Sequence, residues 1–170
     1  MPATFTLISS VTVGSGGAAN IEFTSIPGTY TDLNLLISAR SSRNVGGTDS
    51  IYLDINTVGT DRTFRVLTGN GASASSVSGS DAEITIFPQG TQTANTFGNV
   101  SIYFANYAGS NNKSFSVDSV SENNATTAYA QLFAGLWSSS AAITGLKIRS
   151  GNGFDLVQYS TAYLYGISNA

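Results

Sequence analysis

Residues 33–40 read LNLLISAR, and their apolar and polar side chains alternate. The apolar positions of this segment are Leu33, Leu35, Ile37 and Ala39. Residues 100–105, which read VSIYFA, repeat the pattern. Successive side chains of a β-strand point to opposite faces, so a period of two indicates a strand with one buried face. These two segments therefore predict strands in a sheet that covers a core.

The same alternation, interrupted by clusters of Gly, Asn, Asp and Ser, runs along the rest of the 170-residue chain. Such spacing favours an all-β fold, and we expect one antiparallel two-sheet β-sandwich domain over residues 1–170, jelly-roll-like, with about ten strands. The segments predicted as strands are 5–13, 21–25, 30–40, 51–55, 64–67, 83–87, 98–107, 113–122, 129–137, 143–149 and 154–165.

Turn residues give several local expectations. The Gly-rich segment 14–17 predicts a hairpin between the first two strands, and the polar segment 109–112 predicts one between 98–107 and 113–122. Residues 129–137 are apolar on both faces, which predicts a central strand. Gly145 breaks the phase of its segment and suggests a bulge. Residues 72–80 are small and polar, so we interpret them as an exposed loop.

Composition restricts the chemistry of the chain. It contains no His and no Cys, which excludes Ser-His-Asp triads, His-ligated metals, thiolate sites and cysteine nucleophiles. Charged residues are 10% of the total and the net charge is -3, so no basic face for nucleic acid is expected. We find neither a signal-peptide pattern nor an apolar run of membrane-spanning length. The composition predicts a protein that is not an enzyme and has no cofactor or membrane insertion.

Catalytic and metal-binding patterns are weak. Ser110 and Lys113 have the spacing of a Ser-Lys nucleophile but lie in a predicted turn. Asp49, Asp54 and Asp61 could supply the two carboxyl groups of a glycosidase. We favour turn positions for Asp49 and Asp61 and an outward strand position for Asp54. The oxygen-bearing cluster of Asp118, Glu122, Asn123 and Asn124 lacks the spacing of a calcium loop.

Aromatic and basic residues are the better candidates for contacts. Tyr159, Tyr163 and Tyr165 share one phase of the last predicted strand and could form a glycan platform or a protein interface. A half-buried strand is the plainer interpretation of this row. Arg40 and Arg43 could bind a carboxylate of a neighbouring subunit or an acidic sugar, or could simply pair with a nearby Asp. The sole Trp, at position 137, is expected in the core.

Four stretches carry a resemblance to a known group. They read TLISSVTVGSGGAANIEFTSIP (6–27), IPGTYTDLNLLISAR (26–40), KSFSVDSVSENNATTAY (113–129) and VQYSTAYLYGI (157–167). Together they resemble single-domain virion proteins of tailed bacteriophages, particularly those of cyanophages and other marine phages. The resemblance implies a structural, capsid-decorating or fibre component of a phage particle. It transfers no catalytic or binding residues.

We therefore expect a decoration (cement) protein that binds the outer surface of the major capsid protein shell and stabilises it. Copies of the chain could associate, and a homotrimer would match the local threefold positions of an icosahedral lattice. A receptor-binding or carbohydrate-binding domain of a tail or head fibre, recognising host surface glycans, is the alternative. A polysaccharide lyase with Tyr as base is a third hypothesis.

Overall fold

The computed structural model describes residues 4–56, 60–124, 126 and 128–168, and its regular secondary structure consists of β-strands. The strands are β1 (Phe5–Thr12), β2 (Asn20–Phe23), β3 (Asp32–Ala39), β4 (Asp49–Ile55), β5 (Arg62–Gly69), β6 (Ala74–Gly79), β7 (Glu83–Phe87), β8 (Gly98–Phe104), β9 (Lys113–Glu122), β10 (Ala128–Trp137), β11 (Leu146–Ser150) and β12 (Thr161–Ile167).

The strands form two sheets in which the assigned pairs are antiparallel. The eight-stranded sheet has the order β1-β12-β3-β8-β9-β10-β5-β6, and the four-stranded sheet has the order β2-β11-β4-β7. Buried apolar residues from both sheets form one cluster, in which Leu35, Ile102, Leu53 and Ile148 are fully enclosed. The expected antiparallel two-sheet β-sandwich is confirmed.

The strand order also explains the jelly-roll likeness. Without β5, β6, β9 and β10, the remaining strands form two four-stranded sheets, β1-β12-β3-β8 and β2-β11-β4-β7. The chain passes repeatedly from one of these sheets to the other, which is the arrangement of a jelly roll. Two insertions, β5 with β6 and β9 with β10, meet side by side and extend one sheet beyond this eight-stranded core. We call these four strands the extension.

Several local predictions are confirmed. Strand β9 has the predicted bounds and pairs with β8, so the hairpin around 109–112 is present. Strand β10 lies between β9 and β5, as expected for a central strand. Trp137 is buried, as predicted. The alternation of residues 33–39 is also correct, since Leu33, Leu35, Ile37 and Ala39 are buried.

The first predicted hairpin is wrong. Strand β1 pairs with β12 in the large sheet, whereas β2 pairs with β11 in the small sheet. The Gly-rich segment 14–17 therefore connects the two sheets. A turn sequence can be read from local chemistry, but the partner of each strand depends on distant residues.

Three other local predictions differ from the structure. Residues 154–160 precede the final strand, because Leu156 forms isolated bridges with Ala18 and Ser41 and Tyr159 has a φ of 71°. Gly145 marks the residue before β11 rather than a bulge inside it. The segment 72–80 contains strand β6, which pairs regularly with β5 despite its small side chains.

Candidate interaction surface

The outward-pointing side of the eight-stranded sheet is the largest candidate site, and we call it the outer face. Cross-strand register places its residues in rows that run across all eight strands. The middle row is Ser10, Tyr163, Leu36, Ser101, Asp118, Leu132, Leu67 and Ser76. The flanking rows are Thr12, Thr161, Ser38, Asn99, Val120, Ala130, Gly69 and Ala74, and Leu7, Tyr165, Asn34, Tyr103, Ser116, Ala134, Arg65 and Ser78.

Large apolar side chains on the outer face remain exposed. Leu67 is 58% exposed and Leu132, its direct neighbour across the β5–β10 pair, is 57% exposed. Leu36 and Val120 are also exposed. Strand β10 is central in its sheet, as predicted, but its Leu132 side faces outward and is exposed. Exposed apolar side chains that lie next to each other, as those of Leu67 and Leu132 do, are typical of interaction sites.

Charge is nearly absent from these three rows, where Asp118 and Arg65 are the ionisable groups other than tyrosine. The small sheet differs, because its outward side carries Glu22 opposite Lys147 and Lys147 opposite Asp54. A partner that binds the outer face therefore desolvates few charges, which keeps the electrostatic cost of binding low.

The outer face is also large enough for a stable contact. Strands lie about 4.8 Å apart, and residues on one side of a strand repeat about every 6.8 Å. Three rows across eight strands then present about 800 Å² to a partner that follows the twist of the sheet. This equals the roughly 800 Å² that each partner contributes to a standard interface.

The tyrosine row predicted from sequence is only partly present. Tyr163 and Tyr165 both lie on the outer face, where Tyr165 packs edge-on against Phe5 with ring centroids 6.2 Å apart. Tyr159 does not belong to this row, because it precedes β12 in a left-handed backbone conformation and is 68% exposed. Tyr103, which was not predicted as a contact residue, lies on the same face and donates its hydroxyl to Asp32 at 2.5 Å. That hydrogen bond raises the pKa of Tyr103.

The guanidinium of Arg40 is engaged within the fold. It lies at a buried position and donates to the carbonyl oxygens of Thr93, Thr96 and Gln92 at 2.8, 3.1 and 2.9 Å. Burial lowers the pKa of Arg40. Arg40 therefore holds the loop after β7 in place and is not presented to a ligand or neighbouring subunit.

Arg43 plays a similar part in the adjacent loop. Its Nη1 donates to the carbonyl oxygen of Thr48 at 2.7 Å and to Oε1 of Gln89 at 3.3 Å. Gln89 in turn donates to the carbonyl oxygens of Val45 and Gly46. The structure thus gives both arginines loop-positioning contacts in place of the expected pairing with a nearby Asp.

Asp49 and Asp54 differ from their expected environments. Asp49 is completely buried and accepts hydrogen bonds from Ser41, Ser150 and Asn152 at 2.5, 2.7 and 2.6 Å. Asp54 has the outward phase predicted for it, yet it is buried because Arg149 covers it in a two-point ion pair. Asp61 is exposed and has a φ of 61°, as a turn residue. Hydrogen bonds therefore explain how the Asp49 carboxylate can be buried, and the ion pair with Arg149 explains the burial of Asp54.

The remaining candidates are also engaged elsewhere. Lys113 is buried, donates its Nζ to the carbonyl oxygen of Gly109 at 2.5 Å, and lies 5.8 Å from the Trp137 ring centroid. Burial lowers the pKa of Lys113. Asp118 lies on the outer face, and Glu122 accepts a hydrogen bond from the backbone of Asn124. No group of three or more His, Cys, Asp or Glu residues suited to a metal ion occurs in the described ranges.

Comparison with known proteins identifies no similar protein. No family model matches the chain, and neither a curated protein nor a solved structure is similar to it. No helix within residues 4–56, 60–124, 126 and 128–168 is long and apolar enough to cross a membrane. The outer face is thus the feature with the clearest functional potential.

Proposed function

We propose that this chain is a structural protein of a phage particle, a decoration protein that binds the outer surface of the major capsid protein shell through its outer face. The observation that carries the proposal is the exposed apolar pair Leu67 and Leu132, in a face whose three rows carry two charged side chains, Asp118 and Arg65. The resemblance of the sequence to virion proteins supports the choice of partner. Jelly rolls also recur in viral capsid proteins, which is an argument from fold analogy alone.

The outer face has the area and the apolar side chains that a cement protein needs. A cement protein must bury enough area to hold neighbouring shell subunits together, and the outer face offers about 800 Å². Clustered apolar side chains supply most of the binding free energy in interfaces of this size, while surrounding Ser and Asn residues exclude water. Binding of this kind requires no reactive group.

Reconstitution on empty shells tests the proposal. Recombinant protein is mixed with shells assembled from the major capsid protein alone and then sedimented. We expect co-sedimentation of the wild type and at least a tenfold weaker affinity for Leu132→Glu, because the new carboxylate must be desolvated on binding. Val45→Glu is the matched control, since Val45 is an exposed valine in the loop between β3 and β4 and belongs to none of the three rows of the outer face.

Location on the particle provides a second test. Immunogold labelling with antibody against the recombinant chain should decorate the head. Equal shell binding by the wild type and Leu132→Glu would contradict the use of the outer face. Label confined to the tail or to fibre tips would contradict the decoration role.

Recognition of host glycans is the second candidate function, and one feature of the outer face favours it. Tyr163 and Leu36 are direct neighbours in a shallow depression that is also lined by Ser38, Asn99 and Thr161. An exposed ring beside amide and hydroxyl groups suits stacking on a sugar and hydrogen bonding to it. Binding of the wild type to purified surface polysaccharide, lost in Tyr163→Ala, would favour this function over decoration.

A further inference from the structure

The four edge strands of the two sheets differ in how they are protected. The β1 ladder has a register shift between Leu7 and Ser9. Strand β2 is short and carries Glu22, while β7 carries Glu83 and has an irregular register with β4. Bulges, short length and charges are devices that keep sheet edges from pairing with other chains. Strand β6, which reads ASSVSG, has no charge, no proline and a regular register.

Backbone geometry shows which groups of β6 are available. The amide of Asn70 donates to the carbonyl oxygen of Ser73 at 3.2 Å, so these residues form a hydrogen-bonded pair at the turn. Hydrogen-bonded and non-hydrogen-bonded pairs alternate along an antiparallel ladder. The Val66–Val77 pair is therefore hydrogen-bonded, and the residues on either side of Val77 direct their N–H and C=O groups away from β5. These outward residues are Ser76 and Ser78.

Val77 gives an independent indication that this edge has a partner. Its side chain lies on the core side of the sheet, opposite buried Val66, yet it is 58% exposed. This exposure means that no other described element covers most of the Val77 side chain. A further strand added beside β6 would shield this valine.

We propose that β6 pairs antiparallel with β6 of a second copy of this chain, which joins the two eight-stranded sheets across a twofold axis. With the axis at Val77, Ser76 lies opposite Ser78 of the second copy, and each such pair exchanges two backbone hydrogen bonds. Val77 then faces Val77 of the second copy at a non-hydrogen-bonded position, where cross-strand side chains approach most closely.

A second copy of the chain fits this edge, because the backbone donors and acceptors of β6 are complementary to those of another β6 strand. An antiparallel pair of identical strands places every donor opposite an acceptor under twofold symmetry. Salt screens distant charges, so the repulsion that matters between two negatively charged copies comes from carboxylates close to the contact. Strand β6 contains only Ala, Ser, Val and Gly, so it brings no carboxylate to the contact.

This inference is tested separately from the proposed shell binding. Edge pairing uses the backbone N–H and C=O groups of β6, whereas shell binding uses the side chains of the outer face, to which Ser76 and Ser78 also belong. Edge pairing closes after two copies and differs from the trimer expected from lattice geometry. It can be measured on the isolated protein without any shell. Failure of dimerisation would leave the shell-binding proposal intact, and failure of shell binding would leave the dimer proposal intact.

Sedimentation equilibrium of the full chain over a wide concentration range tests the pairing. We expect a monomer–dimer equilibrium for the wild type and at least a tenfold higher dissociation constant for Ser76→Pro. Proline removes the outward amide of Ser76 without removing a hydrogen bond to β5, and proline is tolerated on edge strands. Ser76→Ala, which keeps that amide, is the control and should change the constant by less than about twofold.

A second variant covers the case in which Ser76→Pro does not fold. Val77→Lys places two ammonium groups directly opposite each other across the axis and should also raise the dissociation constant at least tenfold. Val77→Thr is its control. Amide exchange of Ser76 and Ser78 should slow with concentration in the wild type. A wild type that stays monomeric or forms trimers, or dimers that survive both Ser76→Pro and Val77→Lys, would overturn the proposal.

Discussion

Arg149 holds Asp54 in a two-point ion pair, with Nε 2.8 Å from Oδ2 and Nη2 3.2 Å from Oδ1. A second cation reaches the same carboxylate from the other sheet, because Nη2 of Arg62 lies 3.8 Å from Oδ1 of Asp54. Arg62 also donates to the carbonyl oxygen of Leu53. This cluster ties strand β5 of the large sheet to strand β4 of the small sheet.

Asp54→Asn should destabilise the fold strongly. Arg62 is 3% exposed, and its Nε and Nη2 have no hydrogen-bond partner in the described part of the chain. Asp54 is thus the anion beside this buried charge, and its loss should lower the free energy of unfolding by about 3 kcal/mol. Urea denaturation measures the change. Asp155→Asn, at an exposed position, is the control and should change stability by less than about 0.5 kcal/mol.

Glu83 should make stability depend on pH. Burial raises the pKa of Glu83, an effect that a hydrogen bond from Ser50 partly opposes and the nearby charge of Asp81 reinforces. The folded chain therefore retains this proton to a higher pH than the unfolded chain, and stability falls as pH rises through the raised pKa. Glu83→Gln should remove this loss and gain stability relative to the wild type towards neutral pH. A stability difference between the two that is constant from mild acid to neutral pH would contradict this assignment.

Gly135→Ala should destabilise the extension. A Cβ at Gly135 would lie 2.2 Å from the Phe115 ring, which occupies the space left by the missing side chain. Phe115 is buried, so relief requires repacking and should cost about 1–3 kcal/mol. Gly69→Ala on the neighbouring strand is the control, because a Cβ there meets no atom of the described residues within 4 Å. Thermal denaturation of both variants should show a clear loss for Gly135→Ala only.

Arg40→Lys should loosen the loop after β7 while preserving the charge. The guanidinium reaches the carbonyl oxygens of Gln92, Thr93 and Thr96 at the same time, which a single ammonium group cannot reproduce. We expect faster amide hydrogen exchange and faster proteolytic cleavage within residues 89–97. Arg65→Lys is the matched control, because Arg65 contacts the carbonyl oxygen of its neighbour Phe64 and no part of that loop. Equal exchange rates in the Arg40 variant and the wild type would contradict a loop-positioning role.

Alternation predicted the strands whose two faces differ in environment. The segments at β3 and β9 were predicted nearly at their observed bounds, because every second residue is buried there. Strand β6 was missed because Ala74–Gly79 has no apolar face and becomes a strand only through its ladder with β5. The final strand was predicted too long, since the left-handed conformation of Tyr159 leaves no mark in the hydrophobic pattern.

The candidate surface was harder to predict than the strands. Leu132 and Phe133 are both apolar and adjacent, and only the position of the second sheet decides that Phe133 is buried and Leu132 exposed. The ion pair of Asp54 with Arg149 likewise joins residues 95 positions apart in the chain. Residue type and local spacing do not specify such long-range geometry.

The sheets cannot be completed until the last two strands of the chain have been synthesised. Strand β12 inserts between β1 and β3, and β11 inserts between β2 and β4, so each sheet is completed by a strand synthesised late. Until then, β1, β2, β3 and β4 each expose an unpaired edge. Long-range pairing of this kind folds slowly and leaves intermediates prone to aggregation. A nascent chain that stops before residue 146 therefore lacks both β11 and β12 and exposes strand edges that can pair with other chains.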